Sequence, residues 1–231
     1  MDSRRVAYLK ALDVDVWERR GLASCEPVTT PGPQSSERSA EQPGWAELER
    51  AVKTCTLCPL HKTRTQGVFG VGNRNAQWMV IGEAPGADED RQGEPFVGRA
   101  GQLLNSMLKA IGLNREQVFI ANILKSRPPN NRDPRPEEVQ ACIPYLFRQI
   151  ELVNPKLILC VGRIAAQTLL ETDTTIGKLR GQLHRIAGNR PMIVTYHPAY
   201  LLRSPGEKRK SWADLLLALR TFEQLTGGAQ T

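Results

Sequence analysis

Three short apolar runs, at residues 78–81, 118–121 and 157–161, each stop abruptly at a glycine or a polar residue, with helix-like segments between them. Runs this short and continuous read as strands buried on both faces. Alternating with helices, they specify a parallel sheet covered on both sides. Ligands of open α/β sheets gather at the carboxyl ends of the strands. The residues just past each run are therefore the ones to weigh for chemistry.

The first run opens into Gly82-Glu83-Ala84-Pro85-Gly86, which neither helix nor strand can continue through. Glu83 reads either as a capping or salt-bridging acid or as a catalytic carboxylate. Asp88, Glu89 and Asp90 follow and together could hold Mg²⁺, as a metal-dependent phosphohydrolase would require. No GxxxxGK[ST] or GxGxxG phosphate cradle is present. Phe96 reads as core or, if exposed, as a platform on which a base stacks. A helix is expected over 102–111. The second run ends at Asn122, whose amide both donates and accepts, as reading a pyrimidine edge requires. The loop LKSRPPNNRDPRP is too rich in proline for a helix and carries basic residues. Helices are expected at 45–54, 136–153, 164–170 and 212–225, and further strands at 182–186 and 192–195. His197 follows the last strand. It reads as structural or, beside the basic segment Tyr200-Leu201-Leu202-Arg203, as ligand-facing, with Leu201 or Leu202 wedging into a base stack while Arg203 holds a phosphate.

The net charge is +7, but residues 1–44 sum to −1, so the remainder carries the excess. A basic globular domain suits an anionic polymer such as nucleic acid. Residues 1–20 carry an apolar pattern consistent with a short helix that docks on the domain or a protein partner. Residues 26–44 form a flexible Pro/Ser-rich linker, so the division is 1–44 and 45–231. No apolar run approaches the ~18 residues of a membrane span, and the N-terminus lacks a signal-peptide core. A cytoplasmic protein without membrane contact is expected.

In such a compartment spaced cysteines argue for metal or catalysis over disulfides. Cys55-x2-Cys58 is a metal-type knuckle. Cys142 and Cys160, on a helix and the next strand, either converge on it or are small buried hydrophobes. Cys25, near the linker, is not expected to be a ligand.

Five blocks, CTLCPLHKTRT, GEAPGADEDRQGEPFVGRAGQLL, ANILKSRPPNNRDPRPEE, the Cys142/Cys160 pair and YHPAYLLR, resemble family 4 uracil-DNA glycosylases, the bacterial and archaeal iron–sulfur type. The resemblance spans about residues 45–225. It implies a Rossmann-like α/β/α sandwich on a central four-stranded parallel sheet, acting as a monomer. It also implies a structural [4Fe–4S] cluster on Cys55, Cys58, Cys142 and Cys160, and hydrolysis of deoxyuridine in DNA for base excision repair. Glu83 is then expected to position the water, Phe96 to stack on the flipped uracil, Asn122 to bind its O4/N3 edge and His197 to stabilise the departing anion. Gly82, Ala84 and Gly86 shape the base site, and Arg127, Asn131, Arg132, Leu201, Leu202 and Arg203 face DNA. Two features depart from the family or its branches. Many relatives carry cysteine where this chain has Ser126, which on this reading leaves Cys142 and Cys160 to complete the cluster. The branch that traps DNA through an inserted histidine has GEQPG, whereas this chain has GEAPG and no histidine in SRPPNNRDP. A non-catalytic iron–sulfur DNA-binding protein associated with replication is the alternative.

Overall fold

The structure is a computed structural model describing residues 43–227, within one compact unit, Gln42–Thr231. The expected helix and partner of residues 1–20, Cys25 and nearly all of the linker lie outside the described residues. The elements are α1 (Trp45–Lys53), β1 (Val71–Gly72), β2 (Trp78–Gly82), α2 (Ala87–Gln92), α3 (Arg99–Ala110), β3 (Phe119–Asn122), α4 (Pro136–Val153), β4 (Leu157–Val161), α5 (Arg163–Leu170), α6 (Ile176–Leu179), β5 (Leu183–Ile186), β6 (Arg190–Thr195), α7 (Pro198–Arg203) and α8 (Lys208–Leu225).

The sheet has six strands and is mixed, where the resemblance implied a central sheet of four parallel strands; its order is β1-β3-β2-β4-β6-β5. β3, β2, β4 and β6 pair in parallel, and β1 and β5 add antiparallel edges. The strand expected at 182–186 is β5, but no apolar run reveals its antiparallel direction, and β1 escapes a hydrophobic-run reading altogether. β1 is two residues long, and β5 is half-exposed. Only three residues join β5 to β6, which closes a hairpin but not a parallel crossover.

Alternation along the strands divides the core. Met79, Ile81, Ile158, Cys160 and Val194 face one apolar cluster with Leu48 and Val52 of α1, Leu146 and Ile150 of α4 and Ala165 of α5. Trp78, Val80, Leu157, Leu159 and Ile193 face another with Leu104 and Leu108 of α3 and Leu215 and Ala218 of α8. Each run is therefore apolar throughout because both faces are covered.

Register levels the strand ends. Gly82 lies opposite Asn122, and Val161 opposite Thr195. The chain leaves β2 for β3 on one side and returns to β4 on the other, so β2 ends where the strand order reverses. At the end of β6, buried Thr195 Oγ1 is held by Ser211 Oγ at 2.9 Å and Asp214 Oδ2 at 2.8 Å, both from α8. Asp214 is itself held by Arg180 at 2.8 Å.

Candidate active site

A cavity of about 410 Å³ opens at the level strand ends, lined by Glu83, Phe96, Asn122, His197, Tyr200 and Arg203 among others. Ala84, Gly86, Asn131 and Arg132 also line it. The three strand-end residues thus share one neighbourhood, as their sequence positions require. Gly82 explains how closely. A Cβ there would stand 2.5 Å from Asn122 Oδ1 and 2.6 Å from Phe96 Cζ. No side chain fits, and the amide and the ring meet over bare backbone.

Phe96 is held in a left-handed conformation, φ 56°, costly for an aromatic residue. The surroundings enforce it. Arg115 donates to the carbonyl oxygens of Pro95 and Phe96. Gly101, at the start of α3, packs so tightly on the Phe96 carbonyl that a Cβ would overlap it. The Phe96 ring is 6 % exposed and lies 5.5 Å from the His197 ring at 29°, nearly stacked. Phe96 thus packs in the core and also faces the cavity.

Asn122 is buried, and its Oδ1 has no hydrogen-bond partner. A buried acceptor left unpaired is costly, and such groups persist where a ligand satisfies them. His197 is the N-cap of α7, and its Nδ1 accepts from the Ala199 amide at 3.1 Å. An amide can only donate, so Nδ1 carries no proton and the neutral ring holds it on Nε2. Burial, reinforced by the Arg203 charge, lowers the His197 pKa to about 4. The imidazole is therefore neutral at physiological pH and offers one N–H. Burial, with the Asp133 charge adding to it and Arg163 opposing it, raises the Glu83 pKa to about 7. Asp133 and Arg163 pair with each other at 2.7 Å.

The acidic segment is not a metal site. It forms α2 instead of a loop, and its oxygens have structural partners. Asp90 is buried and accepts from the Thr65 amide at 2.9 Å. Glu89 accepts from the amides of Gly86, Val97 and Gly98 at 3.1, 3.0 and 3.1 Å, pinning both ends of the Phe96 segment. Asp88 pairs with Arg91 at 2.6 Å. The Mg²⁺ reading fails for this reason.

Leu201 also departs from expectation. It is 1 % exposed in the α3/α8 core and cannot enter a base stack. Tyr200, 37 % exposed, presents the large side chain on this segment, with Leu202 half-buried and Arg203 exposed. Arg127 donates to Asn131 at 2.8 Å, and Arg132 pairs with buried Glu138 at 2.5 Å. Arg132 is therefore partly neutralised at the cavity rim.

The cysteines divide three to one. Burial pushes the Cys142 thiol up, a backbone hydrogen bond at Lys125 pulls it down, and the nearby thiols of Cys58 and Cys55 push it up again. Tyr145, one turn along α4, has its pKa raised by burial and then by the Cys55 thiol beside it. Cys160 shares an apolar cluster with Cys58 and Cys142 but sits in mid-strand β4, fully buried between Ile81 and Val194, and burial alone raises its pKa. Among the described residues no three or more Cys, His, Asp or Glu side chains stand close enough together to hold a single metal ion.

Comparison with known proteins agrees with this geometry. A profile of the uracil DNA glycosylase superfamily matches residues 69–217. A type-4 uracil-DNA glycosylase from Archaeoglobus fulgidus is 49 % identical over 73 % of this chain and 88 % of its own length. Namesakes from Pyrobaculum aerophilum and Thermotoga maritima are 44 % and 47 % identical, over 74 % and 68 % of this chain and 91 % and 82 % of theirs. The chain belongs to the uracil DNA glycosylase superfamily. In this glycosylase several site residues carry no sequence signal. Asp133, Arg163 and Arg115 reach the site from elements whose approach only the fold reveals, and Tyr200 is picked out only by the rotation of α7. Among the described residues no helix is long and apolar enough to cross a membrane.

Proposed function

We propose that this chain hydrolyses the N-glycosidic bond of deoxyuridine in DNA, releasing uracil and leaving an abasic site. The observation that supports it most is the pairing, in one cavity, of a buried amide oxygen without a partner and a neutral imidazole that offers one N–H. Uracil presents the complement. Its N3–H donates to Asn122 Oδ1, its O4 accepts from the amide nitrogen, and its O2 accepts from His197 Nε2–H. Cytosine has no N3–H and would leave Oδ1 unpaired, which a site of this kind rejects strongly. The base is swung out of the duplex to reach the cavity, and stacking on Phe96 offsets part of that cost.

As the glycosidic bond breaks, negative charge gathers on the uracil and positive charge on the sugar. A preorganised donor at O2 stabilises the former without rearrangement. Ionised Glu83 positions the attacking water and favours the latter. Arg127, Asn131, Leu202 and Arg203 meet the DNA backbone around the cavity, Ala84 and Gly86 line it, and Gly82 leaves room behind it for Asn122 and Phe96. The thiols of Cys55, Cys58 and Cys142 would hold an iron–sulfur group, whose role there would be to tie the neighbouring loops together. The non-catalytic alternative is not favoured, since a DNA-binding module needs neither the orphaned acceptor nor the neutral imidazole beside it.

Purified protein should release free uracil from a deoxyuridine oligonucleotide in EDTA, leaving an alkali-labile site. Binding without base release would refute the reading.

A further inference from the structure

The cysteine pocket has three thiols and one hydroxyl. Ser126 follows Lys125, whose backbone lies near enough to the Cys142 thiol to pull its pKa down, and is itself buried. Its Oγ accepts from Arg64 Nη1 at 2.7 Å. Arg64 Nη2 donates to the carbonyl of Cys55 at 2.9 Å. One guanidinium therefore clamps Ser126 to the Cys55-x2-Cys58 knuckle, while the residue before Ser126 lies near Cys142. Cys160 is held in the sheet, where its Cα is paired on both sides and cannot swing toward the knuckle.

We infer that this chain binds its iron–sulfur group through Cys55, Cys58 and Cys142 with Ser126 at the fourth corner, and that Cys160 is not a ligand. The inference rests on the iron–sulfur part of the proposed function. A neutral hydroxyl is a far weaker iron ligand than a thiolate, because it must lose a proton of much higher pKa. The iron at that corner is thus exchangeable: ferricyanide takes one electron from the [4Fe–4S]²⁺ form, that iron leaves as Fe²⁺, and a [3Fe–4S]⁺ cluster remains on three thiolates.

The test uses full-length protein purified without oxygen, with iron and acid-labile sulfide measured per folded chain and spin-resonance spectra taken before and after stoichiometric ferricyanide. Cys160→Ala is expected to retain the parent's iron and sulfide. Cys142→Ala should lose most of both. The parent should give a three-iron signal on mild oxidation, and Ser126→Cys should suppress that signal and retain its iron. Should Cys160→Ala fold poorly, the Ser126→Cys comparison decides alone, since it fills no core position in the sheet. Iron loss from folded Cys160→Ala equal to that from Cys142→Ala would overturn the inference. So would identical oxidation behaviour of the parent and Ser126→Cys, or a parent without iron. Uracil release is read separately. Its absence from an iron-replete parent refutes the proposed activity and leaves the ligand assignment standing.

Discussion

Glu83, Asn122 and His197 reach one cavity because parallel strands end level. Cys55, Cys58, Cys142 and Ser126 meet because a knuckle, a helix and a loop are folded onto one another and tied by Arg64. The first arrangement is fixed by backbone ladder and register. The second depends on side-chain clamps and on whatever occupies it. Damage to the first should remove chemistry and spare the fold, while damage to the second should cost folded protein first, since metal binding is often folding energy.

The largest effect expected is from His197→Ala or Glu83→Ala, each slowing single-turnover uracil release by roughly 10²–10³-fold with iron content unchanged. A near-parental rate would remove that residue from the mechanism, and lost iron would dissolve the separation between the two regions. Cys142→Ser tests the opposite pole. Soluble yield and melting temperature should fall, while whatever protein remains folded keeps measurable uracil release. Gly82→Ala comes next: the added methyl presses on Asn122 Oδ1 and Phe96, with a loss of roughly 10–200-fold in kcat/KM. A parental kcat/KM would mean that the base does not lie there.

The pH profile sharpens the comparison. Glu83 has its pKa raised to about 7 and works ionised, so the rate should climb with pH up to about 7 and then level off. His197, lowered to about 4, is already neutral throughout that climb and adds no second limb. Glu83→Gln should flatten the profile. Retention of the limb would assign it to another group. The same shift makes a stability statement with the opposite sign. The folded state holds the Glu83 proton after the unfolded chain has released it. That contribution is therefore fully present below about 4.5 and is lost as pH rises toward 7. The smallest effect is Arg203→Ala, which should weaken DNA binding evenly across sequences and reduce the salt slope by about 1. A sequence-dependent loss would instead place Arg203 against the bases.

The strand-end residues were legible because apolar runs advertise where they stop, and a parallel sheet puts those stops together. What the runs do not encode is angle and level. Cys160 looked like a ligand because spacing along the chain says nothing of its place between Ile81 and Val194 in the sheet. The acids at 88–90 resembled a metal cluster because capping of distant amides, such as those of Val97 and Gly98, leaves no trace in composition. Leu201 and Tyr200 are neighbours in sequence, and a six-residue helix has no periodicity long enough to tell which one faces in. The short edge strand β1 lacks any pattern at all.

Behind the last parallel strand, the carboxylate of Asp214 grips the hydroxyl of Thr195, two positions ahead of the imidazole. The aim of that ring is thus set in part by a helix that does not itself line the cavity. Asp214→Asn should therefore slow uracil release although no residue of the cavity itself has changed.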